Sequence, residues 1–293
     1  QSLNNVFVGI LRALYKRNNN SAIIFGDLFI EDLSDERGLR TLIQAHGKRG
    51  NFSRPIELLK MMPKNQWKNE QISRFKTANR ILNGKINIKT PKTEKIKPAK
   101  KSIIYHASQS MPHTSSGYAI RTHGLITALN DHGMKVETLV RYGYPLDRSD
   151  FKGNNISSIE KIENVTYHFS HTDRDDKSLI NYQEVYNFNQ IEEYQNKAIS
   201  SIISQAKKIR PKLIHSASNF VVGMAGAKAA KALGISSIYE IRGFWHLTQS
   251  TKRQGYEGSD HYNLTERLEI ETAKASDHVF TITKALKNIL VEN

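Results

Sequence analysis

From Ser102 onward, short apolar runs alternate with longer amphipathic stretches, and this alternation constrains the fold more than any other feature. The apolar runs predict strands in SIIYHA, KVETLVRY, NVTYHF, KLIHSA, SSIYEIRG and HVFTIT. The stretches between them predict helices, among them residues 118–131, 191–209 and 221–233. Strands that alternate with helices favour the α/β class, with a Rossmann-like, doubly wound, mainly parallel sheet that binds ligands at the carboxyl ends of its strands.

The first 83 residues follow a different pattern, because their apolar positions recur at helical spacing in short segments broken by Gly, Asn or Pro. This pattern predicts a small all-α module of two or three helical hairpins, with Ser53 as the N-cap of one helix. Residues 84–101, GKINIKTPKTEKIKPAKK, carry seven lysines and two prolines against one glutamate, which predicts a solvated linker. We therefore predict a basic helical module at 1–83, a lysine-rich linker at 84–101 and a Rossmann-like domain at 102–293.

The net charge of +15 is concentrated in the first third of the chain. Residues 1–101 hold 21 Lys and Arg against 8 Asp and Glu, whereas residues 102–293 hold 22 against 20. This asymmetry points to an anionic partner for the N-terminal region, and nucleic acid, an acidic membrane surface and an acidic polymer all fit it. Nucleic acid is the least indicated of the three, because the basic segment lacks interleaved aromatic residues and no signature of a nucleic-acid-binding fold occurs.

The chain contains no cysteine, which excludes a disulfide framework and suits a reducing compartment. It has no apolar run of about 18 residues and no secretory signal, so we expect no membrane span. Its first residue is Gln1 rather than Met, and we therefore expect it to be part of a longer protein. Four histidines lack the i, i+4 spacing of a metal-binding helix, and we expect no metal site. These are His106, His113, His123 and His132.

One loop carries the features of a phosphate-binding turn. In SMPHTSSGYAIRTHGL, Gly117 follows a predicted strand and directly precedes a predicted helix. A glycine there lets the backbone approach a ligand closely, and the free N–H groups of a helix N-terminus suit a diphosphate. Arg121, one turn into the helix, can add a charge-assisted hydrogen bond. On the spacing alone, a plain turn between strand and helix is the favoured alternative, because a lone glycine is a weak signal.

Three ordered segments resemble the family 4 glycosyltransferases, which have the GT-B fold. MPHTSSGYAIRTHGLITALNDHGMKVETLVRYGYP is similar to their opening, IHSASNFVVGMAGAKAAKALGISSIYEIRGFWHLT to their middle, and ERLEIETAKASDHVFTITKAL to the segment that closes their N-terminal domain. The resemblance covers residues 102–293 and none of the first 101. It implies that this region is the N-terminal, acceptor-side half of a GT-B fold.

The resemblance also implies a reaction. Members of this family are retaining transferases that move a sugar from a nucleotide-sugar donor to an acceptor, here a glycan or a lipid-linked glycan, in the synthesis of surface polysaccharides or glycoconjugates. They need no cofactor besides the donor substrate and no metal for the chemistry. Their second Rossmann domain holds the nucleotide, and no segment of this sequence resembles it. We therefore expect residues 1–293 alone to be inactive and the complete protein to be the enzyme.

On the donor side, the resemblance assigns Ser116, Gly117 and Arg121 to the diphosphate. Many members have a second glycine where this chain has Ser116. How closely the diphosphate can approach the backbone at Ser116 therefore stays open. Arg242 stands where many relatives carry a histidine near the transferred sugar. Arginine cannot act as a general base, so with Glu240 we assign Arg242 an electrostatic catalytic role. The alternative is that Arg242 merely pairs with Glu240.

On the acceptor side, the resemblance points to His215, at the end of a strand, and to Trp245, which can stack on a sugar ring. The alternative for His215 is a histidine whose hydrogen bonds are satisfied within the protein at a strand end. The alternative for Trp245 is a tryptophan packed in the core. The same resemblance predicts a cytoplasmic protein attached peripherally to the inner face of the membrane, because many acceptors are lipid-linked or anionic. The competing hypothesis is a non-catalytic binding module, in which a Rossmann scaffold carries a basic region that docks on a polyanion or a membrane.

Overall fold

The structure is a computed structural model that describes residues 2–33 and 35–292. The chain forms two compact units. The helical unit comprises Gln1–Ile86 and Trp245–Arg267, and the α/β unit comprises Asn87–Phe244 and Leu268–Asn293. The predicted ranges differ from this division, because they assign residues 245–267 to the Rossmann-like domain rather than to the helices.

The first part of the helical unit consists of five helices. They are α1 (Ser2–Arg17), α2 (Asn19–Leu28), α3 (Glu36–Arg49), α4 (Ser53–Met61) and α5 (Gln66–Leu82). Side chains cap several of them, as Asn18 does when it accepts a hydrogen bond from Ser21 N at the start of α2. The apolar faces of these helices meet in a core that includes Leu11, Leu42 and Leu58. This arrangement agrees with the predicted helical module.

The N-terminus of α4 differs from the prediction. Ser53 is the first helical residue rather than the N-cap, and the cap position is held by Phe52, which has no capping side chain. The carboxylate of Asp260, from the later segment of the same unit, accepts hydrogen bonds from Phe52 N at 2.5 Å and Ser53 N at 3.0 Å. A distant carboxylate therefore binds free amides at the start of this helix, where the sequence predicts a local Ser cap.

The remaining elements alternate between strands and helices. In chain order they are β1 (Ser102–Ala107), α6 (Gly117–Asp131), β2 (Lys135–Val140), β3 (Ile159–Ile162), β4 (Val165–His168), α7 (Tyr182–Tyr186), α8 (Ile191–Ile209), β5 (Leu213–Ala217), α9 (Phe220–Leu233), β6 (Ser236–Ile241), α10 (Trp245–Ser250), α11 (Asp260–Ala275), β7 (His278–Thr281) and α12 (Lys284–Glu292). Of these, α10 and the first half of α11 belong to the helical unit.

The seven strands form one sheet in the order β3-β4-β2-β1-β5-β6-β7. Every pairing is parallel except that of β3 with β4. The predicted fold class is thus confirmed, namely an α/β Rossmann-like sheet preceded by a helical module. The chain leaves β1 toward β2 on one side and returns to β5 on the other, so a crevice lies beyond the carboxyl ends of β1 and β5.

Close packing of α9 on the sheet fixes one wall of this crevice. The helix carries small residues on its inner face, and twelve of its fourteen residues are buried. A Cβ at Gly226 would lie 2.0 Å from Ser216 Oγ on β5, and one at Gly223 would lie 2.4 Å from the Tyr239 ring on β6. Only glycine therefore lets the backbone of α9 lie directly against these two strands.

Residues 87–101, which we call the strap, run in an extended conformation along the α/β unit. Ile96 N donates to Leu233 O at 3.2 Å, Ala99 N donates to Arg210 O at 2.7 Å, and Arg210 Nε donates to Lys97 O at 2.9 Å. The lysine side chains of the strap are exposed. The segment predicted as a solvated linker is thus fixed by its backbone while its charges face solvent. Within residues 2–33 and 35–292, no helix has both the length and the apolar character needed to cross a bilayer.

Candidate functional site

Glu240 is the centre of a polar network at the carboxyl edge of the sheet. It lies near the end of β6, and only 7% of its side chain is exposed. Its carboxylate accepts hydrogen bonds from Tyr105 OH on β1 at 2.6 Å, from Arg242 Nε at 3.0 Å and from Arg121 Nη2 on α6 at 3.1 Å. Three elements that are distant in sequence therefore meet at one buried carboxylate.

Arg242 uses all five of its N–H donors inside the protein. Nε donates to Glu240, Nη1 donates to Tyr118 O at 3.2 Å and to Thr122 Oγ1 at 2.9 Å, and Nη2 donates to Tyr105 OH at 2.7 Å and to Glu240 Oε2 at 3.2 Å. The guanidinium carbon also lies 4.7 Å from the centre of the Tyr118 ring. An arginine has five donors, so in this conformation Arg242 has none left for a ligand.

The charge state of Glu240 follows from these contacts. Burial favours the neutral form, but the interactions with His215, Arg242 and Tyr105 outweigh it and hold the pKa of Glu240 well below its ordinary value. A carboxylate with such a pKa and with several donors on its oxygens is a poor proton acceptor. The predicted catalytic pair of Glu240 and Arg242 is brought together by the structure, but as an internally satisfied ion pair. This geometry matches the alternative in which Arg242 pairs with Glu240.

Arg121 differs from Arg242, because half of its side chain is exposed. Within the described residues it makes one hydrogen bond, from Nη2 to Glu240 Oε1. Arg242 approaches the same oxygen of Glu240. The buried pair therefore anchors one end of Arg121 and leaves its other donors for a ligand.

The N-terminus of α6 lies one turn before Arg121. Ser116 is the N-cap, and its Oγ accepts from Ala119 N at 3.3 Å and donates to Gln109 Oε1 at 3.1 Å. Among the described residues, no hydrogen bond engages the amides of Gly117 and Tyr118. These two amides and the guanidinium of Arg121 are the kind of donor set that binds a phosphate group.

Gly117 is not required by the local structure. Its φ is not positive, and a Cβ built on it would have no atom within 4 Å. Neither backbone conformation nor packing therefore demands glycine at the first position of α6. The open space above it is what close approach of a ligand to the backbone would use, whereas a plain turn gives no reason for the glycine.

The two residues predicted on the acceptor side belong to different units. His215 lies on β5, where its ring centre is 4.6 Å from that of Tyr105. Its Nε2 is 3.3 Å from Glu240 Oε2 without the alignment of a hydrogen bond. His215 thus joins the Glu240 network. Trp245 begins α10 and is counted with the helical unit, while the other six predicted site residues lie in the α/β unit.

Sequence reasoning missed three members of the network, which are Tyr105, Tyr118 and Thr122. Tyr105 is a tyrosine in a strand whose six residues are all buried, and a buried phenol needs a partner for its hydroxyl. Tyr118 and Thr122 are four residues apart on α6 and so share one face of the helix. The first signal is present in the sequence, but the partner of each group becomes evident only from the fold.

The four histidines considered for metal binding lie apart and have other partners. His106 is buried, with Nδ1 3.1 Å from Val222 O, and burial lowers its pKa to about 4. His123 contacts Tyr167 and Glu163, and His113 contacts Glu160. In the part of the chain that the structure describes, no group of three His, Asp or Glu side chains is arranged to hold a metal ion.

Comparison with known proteins adds one finding. Residues 115–293 match the sequence model of a family described as Glycosyltransferase Family 4. The matched span begins just before α6, contains Arg121, His215 and the pair of Glu240 and Arg242, and accounts for more than half of the chain. No curated protein matches the sequence.

Proposed function

Because the chain belongs to glycosyltransferase family 4, we propose that it is part of a retaining enzyme that transfers a sugar from a nucleotide-sugar donor to a glycan or lipid-linked acceptor. The observation that carries this proposal is the donor set at the start of α6. Two amides without partners and a half-exposed arginine lie at the carboxyl edge of a Rossmann-like sheet. Such a set suits a diphosphate, which is the group that nucleoside-diphosphate sugars carry next to the sugar.

The reaction develops negative charge on the diphosphate as it leaves the sugar. Preorganised donors aimed at that charge lower the barrier. In this proposal, Gly117 N and Tyr118 N bind phosphate oxygens, the positive end of the α6 dipole adds to the field, and Arg121 supplies a charge-assisted hydrogen bond. No cofactor besides the donor substrate enters the scheme.

Arg242, Glu240 and Tyr105 act as positioning residues. Their mutual hydrogen bonds tie α6 to β1 and β6, and Glu240 orients Arg121. This role replaces the direct catalytic role assigned to Arg242 and Glu240 from the sequence. His215 lies at the edge of the same network, 14% exposed, and we keep it on the acceptor side of the proposal, with Trp245.

The finer parts of the proposal concern the setting of the reaction. We place the enzyme in the synthesis of surface polysaccharides or glycoconjugates, in the cytoplasm, attached peripherally to the inner face of the membrane. The support for attachment is the excess of Lys and Arg in the first third of the chain.

A transferase assay on the complete protein tests the reaction. A panel of labelled nucleotide sugars is incubated with the protein and with glycan acceptors, and the released nucleoside diphosphate and the anomeric configuration of the product are measured. We expect turnover of one donor class with retention of configuration. If every nucleotide sugar stays intact while the protein still binds a polyanion, the non-catalytic binding module is the better description.

A further inference from the structure

The amino-terminal edge of the sheet, opposite the candidate site, carries a concentration of cationic side chains. They come from the strap, from the start of β2, from the end of α8 and the turn after it, and from the end of α9. We call this set of ten residues the basic edge: Lys95, Lys97, Lys100, Lys101, Lys135, Lys207, Lys208, Arg210, Lys212 and Lys231. All ten are exposed.

Backbone contacts hold these distant segments side by side. Lys135 N donates to Lys101 O at 2.9 Å, and Lys212 N donates to Ser102 O at 2.7 Å. The Nζ atom of Lys95 lies 3.1 Å from the carbonyl oxygens of Lys231 and Ala232. The strap thus brings its lysines onto the edge where β1, β2 and β5 begin, and the cluster is part of the folded α/β unit.

The segments that form the basic edge carry far more positive than negative charge. In residues 94–102, 131–135, 207–213 and 231–236, ten Lys and Arg stand against two acids, Glu94 and Asp131. Asp131 already accepts a hydrogen bond from Asn164. A further acid at this edge, Asp277 before β7, accepts hydrogen bonds from Ser237 N and Oγ. Within the described residues, none of the ten cations forms an ion pair.

Helix dipoles explain only part of this set. The lysines at the ends of α8 and α9 lie near the negative ends of those helices, as does Lys95. Arg210 is itself the C-cap of α8, and Lys101 Nζ lies beside Gly133, just after the end of α6. The other four cations, on the strap, in the turn before β5 and at the start of β2, have no such reason: Lys97, Lys100, Lys135 and Lys212. Their excess indicates an external anionic partner.

We propose that the basic edge docks the protein on an anionic lipid bilayer. Nine of its ten cations are lysines, and its four segments contain no Phe, Trp or Tyr. Lysine acts as a point charge, whereas nucleic-acid recognition favours the planar fork of arginine and aromatic platforms for the bases. A cluster of this size and composition suits the surface potential of anionic lipids. The inference deepens the peripheral attachment proposed above and does not depend on the transfer reaction.

The position of the basic edge has a consequence for the acceptor. Glu240 and the N-terminus of α6 lie beyond the other ends of the strands, and β1 has six residues, which corresponds to about 20 Å. Docking through the basic edge directs the candidate site away from the bilayer. The acceptor sugar is then reached on the solution side, either on a free glycan or at the far end of a lipid-linked chain.

Two matched variants of the chain test the proposal. One neutralises four exposed lysines of the basic edge whose side chains make no hydrogen bond in the described structure, namely Lys100→Gln, Lys207→Gln, Lys208→Gln and Lys212→Gln. The other neutralises four exposed lysines elsewhere on the α/β unit, namely Lys152→Gln, Lys161→Gln, Lys177→Gln and Lys284→Gln. Both change the net charge equally. Binding is measured by sedimentation with vesicles of phosphatidylcholine, with and without phosphatidylglycerol, over a series of salt concentrations.

We expect the wild-type chain to bind only the anionic vesicles and to be released by salt. The basic-edge variant should bind at least about tenfold more weakly, while the control variant stays within about twofold of wild type. Circular dichroism verifies that both variants are folded. Equal weakening in both variants means that net charge alone drives binding and overturns the proposal, as does a wild-type chain that ignores anionic vesicles at low salt. If the wild-type chain binds an RNA homopolymer but not the anionic vesicles, the basic edge is assigned to nucleic acid instead.

Discussion

At the scale of single residues, two arginines on one carboxylate have opposite roles. Arg242 is 9% exposed and fully engaged, whereas Arg121 is 50% exposed and makes one hydrogen bond. The sequence places Arg242 after a buried strand, at the edge where ligands bind. It cannot show that Tyr118 and Thr122 of another element take up its remaining donors. The residue that keeps donors for a ligand is therefore Arg121.

Arg242→Lys tests the positioning role. A lysine has three donors and no planar fork, so it leaves oxygens of Glu240 and acceptors on α6 without partners. We expect the free energy of unfolding to fall by about 2–3 kcal/mol, less than the loss when one partner of a buried pair is removed, because lysine keeps the positive charge. Urea denaturation measures the loss, with Arg121→Lys as the matched control, which should change stability by less than about 1 kcal/mol. Equal stability of wild type and Arg242→Lys contradicts the positioning role.

Gly117→Val tests the approach of a ligand to the backbone. The side chain has room, so we expect folding to stay cooperative, but it occupies the space that a phosphate needs beside the amides of Gly117 and Tyr118. In the complete enzyme, kcat/KM for the nucleotide sugar should fall by about tenfold or more. A Cβ built at Gly124, on the same helix, also has no atom within 4 Å, so Gly124→Val serves as the control. If both variants keep full activity, Gly117 belongs to a plain turn.

At the scale of elements, the sequence predicts strands that are apolar runs and misses groups that are satisfied from a distance. The central strands of the parallel sheet are apolar because burial on both faces imposes that composition. The strand β7 is also predicted from its apolar run, although it is largely exposed. The edge strand β3 is short and exposed, and it was missed. The sequence predicts Ser53 as the cap of α4, because local spacing cannot indicate that Asp260 binds the amides of Phe52 and Ser53.

The contact between α9 and β5 gives a prediction at this scale. Gly226→Ala places a Cβ 2.0 Å from Ser216 Oγ, so the helix or the strand must shift. Overpacking costs about 1–3 kcal/mol, partly offset by about 1 kcal/mol of helix propensity, and we expect a net loss of about 1–2 kcal/mol in thermal or urea unfolding. Gly124→Ala, on an exposed face of α6, should instead stabilise the protein by about 0.5–1 kcal/mol. A stabilised Gly226→Ala protein would show that this packing is loose.

Glu269 makes the junction of α11 with α9 sensitive to pH. Burial raises its pKa to about 7, opposed by hydrogen bonds from Tyr239 OH and Phe220 N. Because the folded pKa lies above the ordinary glutamate pKa of 4.5, the folded chain binds more protons between these two values, and stability falls as pH rises from about 4.5 to 7. Glu269→Gln should remove about 3 kcal/mol of this pH dependence in urea titrations at pH 5 and pH 8. Parallel pH profiles in wild type and variant would contradict the assignment.

At the scale of the whole molecule, the sheet separates the two proposed sites. Its carboxyl edge holds the Glu240 network and the N-terminus of α6, and its amino edge holds the basic edge. The family, the fold class and the basic character of the chain could be predicted from sequence, because motif order, hydrophobic alternation and charge are all local properties. The fixed strap and its junction with the ends of α8 and α9 could not, because they depend on backbone contacts between distant segments.

If the N-terminus of α6 and Arg121 bind a diphosphate, inorganic pyrophosphate should perturb this site directly. The test is an amide nitrogen-proton correlation spectrum of residues 1–293, recorded during titration with pyrophosphate at moderate salt, for the wild type and for Arg121→Gln. We predict that the Gly117 and Tyr118 amide signals of the wild type shift saturably. In the variant, the dissociation constant of pyrophosphate from these shifts should be at least about tenfold higher. Shifts confined to the basic edge, or identical titrations of the two proteins, would contradict an anion site at the carboxyl edge of the sheet.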